Sequence, residues 1–138
     1  MAIRVAINGF GRIGRNVFKV LSQRPGVEVV AINDLADNEM LAHLLKYDTV
    51  TGRFFGDAAV KATADSIQVG DQTIKVLSER EPANLPWGDL DIDVTVESTG
   101  IFRTPEQVEW HLQAGAKKVI LTVPPKAPLD NMVVLGVN

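Results

Sequence analysis

The sequence predicts an α/β fold in which helices cover a doubly wound, mostly parallel sheet. Three observations predict it. Short β-branched runs alternate with stretches of helical periodicity. A glycine-rich turn separates the first run from the first helical stretch. In the middle of the chain the period changes to the two-residue alternation of a small antiparallel meander. We therefore expect one domain over residues 1–138, a usual size for a domain.

The first half of the chain reads as a strand–helix–strand unit followed by a second helix. Residues 3–7 form a β-branched run, typical of a buried parallel strand. A helix over residues 12–23 leads to a strand over 27–32, and a helix over 37–47 follows with Asp37 as its N-cap. Right-handed crossovers then make the two strands parallel in one sheet. The apolar stripes predicted to face the sheet are Ile13, Val17, Val20 and Leu21 in the first helix and Met40, Leu41, Leu44 and Leu45 in the second.

The second half supplies the meander and the remaining core strands. Turn signals separate Val60–Ala62, Ser66–Val69 and residues 73–76, which predicts an antiparallel meander inserted in the parallel fold. A proline-containing loop follows over residues 81–91. The later predicted elements are a strand Val94–Glu97, a helix over 105–114 with Thr104 as N-cap and Pro105 at its first position, and strands over 119–123 and 132–137.

Composition and charge exclude several classes of protein. Hydrophobic residues make up 46% of the chain, enough for a core, and the formal net charge is −3, which favours neither nucleic acid nor an anionic membrane as a partner. No apolar run approaches the roughly 18 residues of a membrane span. The chain has no cysteine. Disulfides and cysteine-based metal sites are thereby excluded, and a reducing, cytoplasmic location is expected.

The basic residues are concentrated at the start of the chain. The first 27 residues contain five lysines and arginines and no acidic residue. A targeting peptide is the alternative explanation, but Gly9, Gly11 and Gly14 would break a presequence helix, and no apolar h-region or cleavage site is present. We interpret this segment as a positive end of the domain that faces an anion.

Residues 9–14 read Gly-Phe-Gly-Arg-Ile-Gly and fit the pattern G-x-G-x-x-G between a predicted strand and a predicted helix. Gly9 permits a tight turn, Gly11 lets the backbone approach a pyrophosphate, and Gly14 lets helix and strand pack closely. The first helical amides and the helix dipole then face the anion. In this context the pattern predicts a Rossmann-type dinucleotide site; alone, such glycines can also form a purely structural turn.

An acidic residue follows the second strand at the distance that such a site requires. Asp34 lies 20 residues after Gly14. An acid there accepts hydrogen bonds from the hydroxyls of the adenosine ribose. It would also repel a 2′-phosphate, so we predict NAD rather than NADP as the cofactor. The alternative is that Asp34 only caps a loop.

Three more residues end strands at the same edge of the predicted sheet. Thr99 and Gly100 follow Val94–Glu97, and Thr122 lies near the end of the next strand. Ligands of doubly wound sheets lie beyond the carboxyl ends of the strands. These residues are therefore candidates for the nicotinamide side of the site, with plain strand-to-helix turns as the alternative.

Other chemistry-bearing residues are interpreted as structural. Asp89, Asp91 and Asp93 alternate, but an EF-hand that began at Asp89 would need glycine and glutamate where Val94 and Gly100 stand. We interpret them as a solvated loop and expect no metal site. The residues expected at surface, connecting or packing positions are His43, His111, Lys117, Lys118, Trp87 and Trp110.

Six segments carry a more specific signal than the glycine pattern. They are residues 3–15 (IRVAINGFGRIGR), 31–35 (AINDL), 44–48 (LLKYD), 52–54 (GRF), 97–102 (ESTGIF) and 114–119 (AGAKKV). In sequence and in order they resemble the N-terminal part of phosphorylating glyceraldehyde-3-phosphate dehydrogenases. The resemblance spans the whole chain.

The resemblance implies an NAD-dependent oxidation of an aldehyde coupled to phosphorylation. In this family a cysteine thiolate attacks the aldehyde, a histidine accepts the proton, hydride passes to the nicotinamide, and phosphate releases an acyl phosphate. The resemblance implies that the backbones of Arg12 and Ile13 contact the pyrophosphate. It implies that the backbone of Arg80 lies near the adenine and that the ring of Phe10 lines the cleft. The complete set of implied cofactor contacts is Asn8, Gly9, Phe10, Gly11, Arg12, Ile13, Gly14, Asn33, Asp34, Arg80, Thr99, Gly100, Phe102 and Thr122.

The family's catalytic cysteine and histidine have no counterpart in these residues. We therefore expect the chain alone to bind NAD without oxidising glyceraldehyde 3-phosphate. The family forms homotetramers, and its cofactor domain receives a C-terminal helix from the end of the full chain. Without that helix we expect an exposed apolar face, open to self-association or to the catalytic half. The alternatives are the same domain of erythrose-4-phosphate dehydrogenase and a non-catalytic module that binds NAD or a partner.

Overall fold

The computed structural model describes residues 2–48, 52–53 and 60–133. Within them it contains three α-helices, α1 (Arg12–Leu21), α2 (Asn38–Lys46) and α3 (Pro105–Gln113), and a short 3-10 turn at Pro82–Asn84. The strands are β1 (Ile3–Asn8), β2 (Val27–Asn33), β3 (Tyr47–Asp48), β4 (Gly52–Arg53), β5 (Val60–Ala62), β6 (Ser66–Val69), β7 (Gln72–Leu77), β8 (Val94–Glu97) and β9 (Lys118–Leu121).

Seven of these strands form one sheet in the order β5-β6-β7-β2-β1-β8-β9. The pairs β1–β2, β1–β8, β2–β7 and β8–β9 are parallel. The pairs β5–β6 and β6–β7 are antiparallel and form the inserted meander. The predicted fold class, a mostly parallel sheet of Rossmann type with a small antiparallel meander, is therefore confirmed. β3 and β4 form a separate antiparallel ribbon.

Two apolar clusters build the core. The larger one joins Phe18 of α1 and Leu41 and Leu45 of α2 to side chains of β1, β2, β6, β7 and β8. The smaller one is centred on Trp87 and Ile92, which pack with the alanines of β1 and β2. Because successive residues of a strand point to opposite faces, each central strand contributes to both clusters.

The buried face of α1 differs from the prediction. Gly14 and Phe18 are its buried residues, and Val17 and Leu21 are partly buried beside the core. Ile13 and Val20, which we expected to face the sheet, are 49% and 56% exposed. The spacing 14, 17, 18, 21 satisfies the helical period as well as the predicted stripe does, and it turns Gly14 towards β1.

The buried face of α2 also needs one correction. Leu41 and Leu45 are buried as predicted, but Leu44 is only partly buried and Met40 is half exposed. Ala42, which the predicted stripe did not include, is also buried. The predicted N-cap is confirmed: the Asp37 side chain accepts a hydrogen bond from the Met40 N–H at 2.8 Å. Tyr47 lies outside the helix, in β3.

The predicted cap of α3 is also confirmed. The Thr104 hydroxyl accepts from the Gln107 N–H, and the Gln107 side chain accepts in return from the Thr104 N–H, which makes a capping box. Pro105 occupies the first helical position. The helix ends just before Gly115, whose φ is 117°.

The end of the chain does not follow the predicted strand pattern. Strand β9 begins one residue earlier than predicted and ends at Leu121. Residues 131–133, including Met132 and Val133, are not in a strand. The rest of the strand predicted over 132–137 lies outside the described residues, as does Phe54. In the described part of the chain no helix is long and apolar enough to cross a membrane.

Candidate functional site

The carboxyl ends of three parallel strands meet where the chain changes direction across the sheet. β1 lies between β2 and β8. From β2 the sheet continues to β7 on one side of β1, and the chain returns to β8 on the other side. Such a switch point leaves a crevice beyond the strand ends, which is where doubly wound sheets bind ligands.

Three glycines form the turn from β1 into α1, and their surroundings differ. Gly9 has a φ of 90°, and a Cβ there would lie 2.7 Å from the Thr99 N atom. A Cβ on Gly14 would overlap the carbonyl oxygen of Gly9. A Cβ on Gly11 would meet no protein atom within 4 Å. Packing therefore requires glycine at positions 9 and 14, whereas position 11 is small beside open space.

The N-terminus of α1 begins at this turn. Its N-cap is Gly11, which has no side chain to bind the first helical amides, whereas Asp37 and Thr104 cap α2 and α3. The first N–H groups of a helix lack partners within the helix. The first turn of α1 also contains no acidic residue. This end of the helix therefore suits an anion.

Asp34 follows β2 and ties the glycine turn to the loop after that strand. One carboxylate oxygen accepts from the Phe10 N–H at 2.7 Å, and the other accepts from the Ala36 N–H at 2.9 Å. The Asp34 N–H in turn donates to the Leu77 carbonyl oxygen at 3.0 Å. Each carboxylate oxygen can accept more than one hydrogen bond. Asp34 therefore keeps acceptor capacity for a ligand although it also acts as a loop cap.

A cleft of about 310 Å³ opens between these strand ends. Its volume lies at the lower end of the range of small-molecule sites. Gly11 is one of its lining residues, and a Cβ there would meet no atom of the described residues within 4 Å. The lining residues are Asn8, Gly9, Gly11, Asn33, Asp34, Leu35, Glu79, Arg80, Ser98, Thr99, Ile101 and Phe102.

A chain of buried side-chain hydrogen bonds runs beneath the cleft across neighbouring strands. The Asn33 amide exchanges hydrogen bonds with the backbone of Glu79, at 2.8 and 2.9 Å, and donates to the Asn8 Oδ1 at 2.8 Å. The Asn8 Nδ2 lies 3.0 and 2.9 Å from the two carboxylate oxygens of Glu97. The Thr99 hydroxyl donates to the same carboxylate at 3.0 Å. The ends of four adjacent strands are thereby connected.

Residues 3–105 match the family model described as glyceraldehyde 3-phosphate dehydrogenase, NAD binding domain. That match covers well over half of the chain. The chain belongs to this family. The predicted family and the predicted cofactor, NAD, are thereby confirmed.

Individual dehydrogenases match the whole of this NAD-binding domain. The glyceraldehyde-3-phosphate dehydrogenase of Thermotoga maritima is 56% identical over 137 residues, which cover 98% of this chain and 40% of that protein. Glyceraldehyde-3-phosphate dehydrogenase 2 of Streptomyces avermitilis is 54% identical over 139 residues, covering 100% of this chain and 41% of that protein. The glyceraldehyde-3-phosphate dehydrogenase of Geobacillus stearothermophilus is 52% identical over 138 residues, which cover 100% of this chain and 40% of that protein. The chain thus spans about two fifths of the length of these relatives.

The structure of this NAD-binding domain brings most predicted cofactor residues to the cleft, but not all of them. Arg12 and Ile13 lie exposed in the first turn of α1, and Gly14 is buried against Gly9 and the Ser98 hydroxyl. Gly100, with a φ of 81°, follows Thr99 but does not line the cleft. The residues of the predicted set that do line it are Asn8, Gly9, Gly11, Asn33, Asp34, Arg80, Thr99 and Phe102.

Thr122 lies apart from the cleft lining. Its N–H and its hydroxyl both donate to the Glu97 carbonyl oxygen, at 3.2 Å each. These bonds fasten the end of β9 to the end of β8. Its hydroxyl is therefore engaged with the backbone of the neighbouring strand.

The expected role of the Phe10 ring is wrong. The side chain is 2% exposed and packs edge-on against Phe18, with 5.9 Å between ring centroids. It lies in the core rather than in the cleft wall, because Asp34 anchors the Phe10 N–H and the turn then directs the ring inwards. The aromatic side chain in the cleft is Phe102, which contacts Trp110 edge-on.

The main residue that sequence reasoning missed is Glu97, which is fully buried. The pattern of β8 shows one charged residue at the end of an apolar run, a position usually open to solvent. Its burial depends on Asn8 and on His111, and the latter is also fully buried. The cleft residues Glu79, Ser98 and Ile101 were missed as well, since they come from loops without a distinctive motif.

The alternating aspartates form part of the β8 entry. Asp93 accepts from the Arg4 N–H at 2.9 Å and pairs with the Lys117 ammonium at 3.0 Å. The Arg4 hydrogen bond, followed by Lys117, lowers the pKa of Asp93 below its ordinary value. Within residues 2–48, 52–53 and 60–133, no group of three or more histidines and acids is arranged to hold a metal ion.

Proposed function

We propose that this chain binds NAD in the cleft at the ends of β2, β1 and β8, and that it serves as the cofactor domain of a phosphorylating glyceraldehyde-3-phosphate dehydrogenase. The family match and the shape of the switch point support the proposal. Bound NAD supplies the acceptor for the hydride of an aldehyde oxidation. The chain's own residues bind and orient it.

The observation that carries the proposal is the contrast between Gly11 and the two glycines around it. Gly9 and Gly14 are in tight contact with protein atoms, but Gly11 lines the cleft and a Cβ there would meet no atom of the described residues within 4 Å. A turn that needed glycine only for folding would not require it there. Close approach of a pyrophosphate to the backbone does require it.

The roles proposed for the cleft residues follow from their positions. The N–H groups of Arg12 and Ile13, at the start of α1, face the pyrophosphate. The Asp34 carboxylate accepts from the hydroxyls of the adenosine ribose and repels a 2′-phosphate, which favours NAD over NADP. Arg80 lines the cleft after β7, next to β2 in the sheet, and this supports a place for its backbone near the adenine. Thr99 stands on the opposite side, where the nicotinamide half is expected.

Isothermal titration calorimetry of the purified protein with NAD and NADP tests the proposal. We expect saturable NAD binding and weaker NADP binding, because the Asp34 carboxylate repels the 2′-phosphate. The difference should be at least about tenfold, which corresponds to about 1.4 kcal/mol. Gly11→Ala should leave the fold intact, because the added methyl meets no protein atom. It should nevertheless abolish NAD binding, because the methyl fills the path of the pyrophosphate.

Gly88→Ala is the matched control. It makes the same chemical change at a glycine where a Cβ would have only ordinary contacts, 3.6 Å from the Ala114 carbonyl oxygen, and Gly88 does not line the cleft. This variant should bind NAD as the wild type does. A folded wild type that binds neither cofactor, or a Gly11→Ala variant with unchanged NAD affinity, would falsify the proposal.

The activity of the complete enzyme follows as part of the same proposal. Relatives of this chain are named glyceraldehyde-3-phosphate dehydrogenases. The chain contains no cysteine, so these residues cannot provide the thiolate that the family resemblance implies. We therefore expect residues 1–138 by themselves to bind NAD without catalysing aldehyde oxidation. A cytoplasmic location suits a cysteine-free chain and a glycolytic reaction.

The proposed assembly is a homotetramer of the full-length enzyme. In the described residues, exposed large apolar side chains of the second half of the chain include Leu112 of α3 and Ile120 of β9, together with Ile101, Met132 and Val133. Such exposure supports self-association, or association with a catalytic half. Sedimentation of the purified chain over a range of concentrations measures this. A monomer at every concentration counts against self-association.

A further inference from the structure

Glu97 is a buried carboxylate surrounded by hydrogen-bond donors. Its side chain has no exposure, and it stands at the last position of β8, directly beneath the cleft. The Asn8 Nδ2 lies 3.0 and 2.9 Å from its two oxygens, and the Thr99 hydroxyl lies 3.0 Å from Oε1. A carboxylate can accept all of these hydrogen bonds, because its oxygens act only as acceptors.

His111 presents another donor to the same carboxylate. The Trp87 indole N–H donates to the His111 Nδ1 at 3.0 Å, so Nδ1 must act as an acceptor. In a neutral imidazole the other nitrogen then carries the proton. The His111 Nε2 lies 3.7 Å from the Glu97 Oε2 and has no hydrogen-bond partner. Trp87 thereby fixes the tautomer that turns an N–H towards Glu97.

The Thr99 side chain is held in one orientation by these contacts. Its single hydroxyl hydrogen is used by Glu97, and its oxygen accepts from the Ile101 N–H at 3.3 Å. The backbone and Cγ2 of Thr99 then lie against Gly9, so closely that Gly9 has no room for a Cβ. The hydroxyl is therefore committed to the protein, and Thr99 offers its surface to the cleft.

We infer that Glu97 is a positioning residue for the half of the cleft beside β8: it holds the Thr99 and Asn8 side chains in the arrangement that receives the nicotinamide half of NAD. This inference rests on the proposed NAD binding. Asp34, which serves the adenosine half, lies beyond β1 on the other side of the glycine turn. Loss of the Glu97 carboxylate should therefore lower the affinity for NAD more than it lowers the affinity for a ligand without the nicotinamide nucleoside.

The test compares NAD with ADP, which keeps the adenosine and the pyrophosphate. Glu97→Gln preserves the size of the side chain but replaces one acceptor oxygen by an NH2 group. That group faces the donors of Asn8 and Thr99, so at least one hydrogen bond is lost. By calorimetry we expect NAD to bind about tenfold more weakly, the effect of losing about one charge-assisted hydrogen bond. ADP affinity should stay within about twofold of the wild type.

A second variant keeps the test decisive if Glu97→Gln fails to fold. Thr99→Val removes the donor hydroxyl at constant size and should also lower the affinity for NAD more than that for ADP. Thr99→Ser keeps the hydroxyl and should lower the affinity for NAD by less. The double variant Glu97→Gln/Thr99→Val should weaken NAD binding by less than the sum of the two single effects, because both positions take part in one shared hydrogen bond.

Thr95→Val is the matched control for Thr99→Val. Thr95 is fully buried in β8, the strand that Thr99 follows, and its hydroxyl has no hydrogen-bond partner among the residues that the structure describes. Its removal should therefore leave the affinities for NAD and ADP unchanged. Equal weakening of NAD and ADP by Glu97→Gln, or unchanged NAD binding, overturns the positioning role. A wild type that binds ADP but not NAD overturns the proposed function itself, which separates the two failures.

Discussion

At the scale of single residues, Asp93 links the start of β8 to both neighbouring strands. It accepts from the Arg4 N–H in β1 and pairs with Lys117 just before β9. These contacts favour the ionised carboxylate and lower its pKa. A carboxylate whose pKa is lower in the folded protein than in the unfolded chain stabilises the fold above its unfolded pKa. That contribution disappears as the pH falls through the folded pKa.

We therefore expect Asp93→Asn to destabilise the protein at pH 7. The difference in stability between variant and wild type should become smaller as the pH is lowered. The difference in urea midpoint between wild type and variant should shrink as the pH falls below about 4, the ordinary range for aspartate. Asp89→Asn, in the same exposed loop, controls for the loss of one negative charge. A difference that stays constant down to the lowest pH would contradict this account.

Individual residues of the site were predictable where a short motif fixes the chemistry. Gly9 and Gly14 have the close surroundings that the motif predicts, because a tight turn and close packing each require glycine at one spacing. Asp34 lines the cleft, and its predicted contact with the ribose stays a prediction. Ile13 and Phe10 were misplaced. Hydrophobic periodicity gives the repeat of a helix but not its rotation, and here the contact of the third glycine with β1 decides the rotation.

Glu97 could not have been found in this way. Its partners come from β1, from the loop after β8 and from α3, up to 89 residues away in sequence. A single glutamate at the end of an apolar run carries no local sign of burial. Only the assembled sheet reveals that Asn8, Thr99 and His111 converge on it.

At the scale of secondary-structure elements, the capping box of α3 gives a direct prediction. The Thr104 hydroxyl accepts from the Gln107 N–H at 3.2 Å, and Thr104→Ala removes this bond. We expect a loss of about 1 kcal/mol in the free energy of unfolding, the usual effect of losing such a cap. Thr104→Ser keeps an acceptor and should stay close to the wild type. Equal stability of the alanine variant and the wild type in urea would refute the contribution of the cap.

The element boundaries that the sequence predicted well are those marked by a capping residue or by a glycine with a positive φ. Asp37, Thr104 and Gly115 mark helix ends through specific hydrogen bonds or a positive φ, and the structure has helix ends at these places. The run at residues 132–137 has no such marker. Its apolar composition suggested a strand, but residues 132 and 133 do not lie in one.

At the scale of the whole molecule, ligand binding and stability are coupled. A ligand that binds only the folded state adds about 2.7 kcal/mol at a concentration of 100 times Kd. For a chain of this size that corresponds to a rise in Tm of roughly 8 °C, at about 3 °C per kcal/mol. We expect NAD, at a concentration of about 100 times its Kd, to raise the Tm by roughly 8 °C.

Two controls accompany the thermal measurement. NADP at the same concentration should produce at most about half this shift, because binding that is at least about tenfold weaker contributes at most about 1.4 kcal/mol. The repulsion proposed between Asp34 and the additional phosphate is the reason for the weaker binding. Gly11→Ala should show the Tm of the wild type without ligand and no shift with NAD. A rise of equal size with both cofactors would contradict the role proposed for Asp34.

The overall architecture was the most predictable level. Alternating strand and helix periods, the glycine turn and the two-residue alternation of the meander all agree with one topology, and the seven-stranded sheet has that topology. Connection rules for parallel strands leave few other arrangements. Such agreement between local preferences and global fold is a property of sequences that fold to one state.

The two backbone hydrogen bonds of Asp34 have a consequence for redesign of the domain. The side chain that we propose favours NAD also accepts hydrogen bonds from the Phe10 and Ala36 N–H groups. An engineer who replaces it to admit a phosphorylated ribose removes the repulsion and both anchors in one step. A successful conversion to NADP therefore has to supply new acceptors for those two amides as well as a cation for the phosphate. Natural sequence drift faces the same requirement, and this makes cofactor preference hard to change by a single substitution.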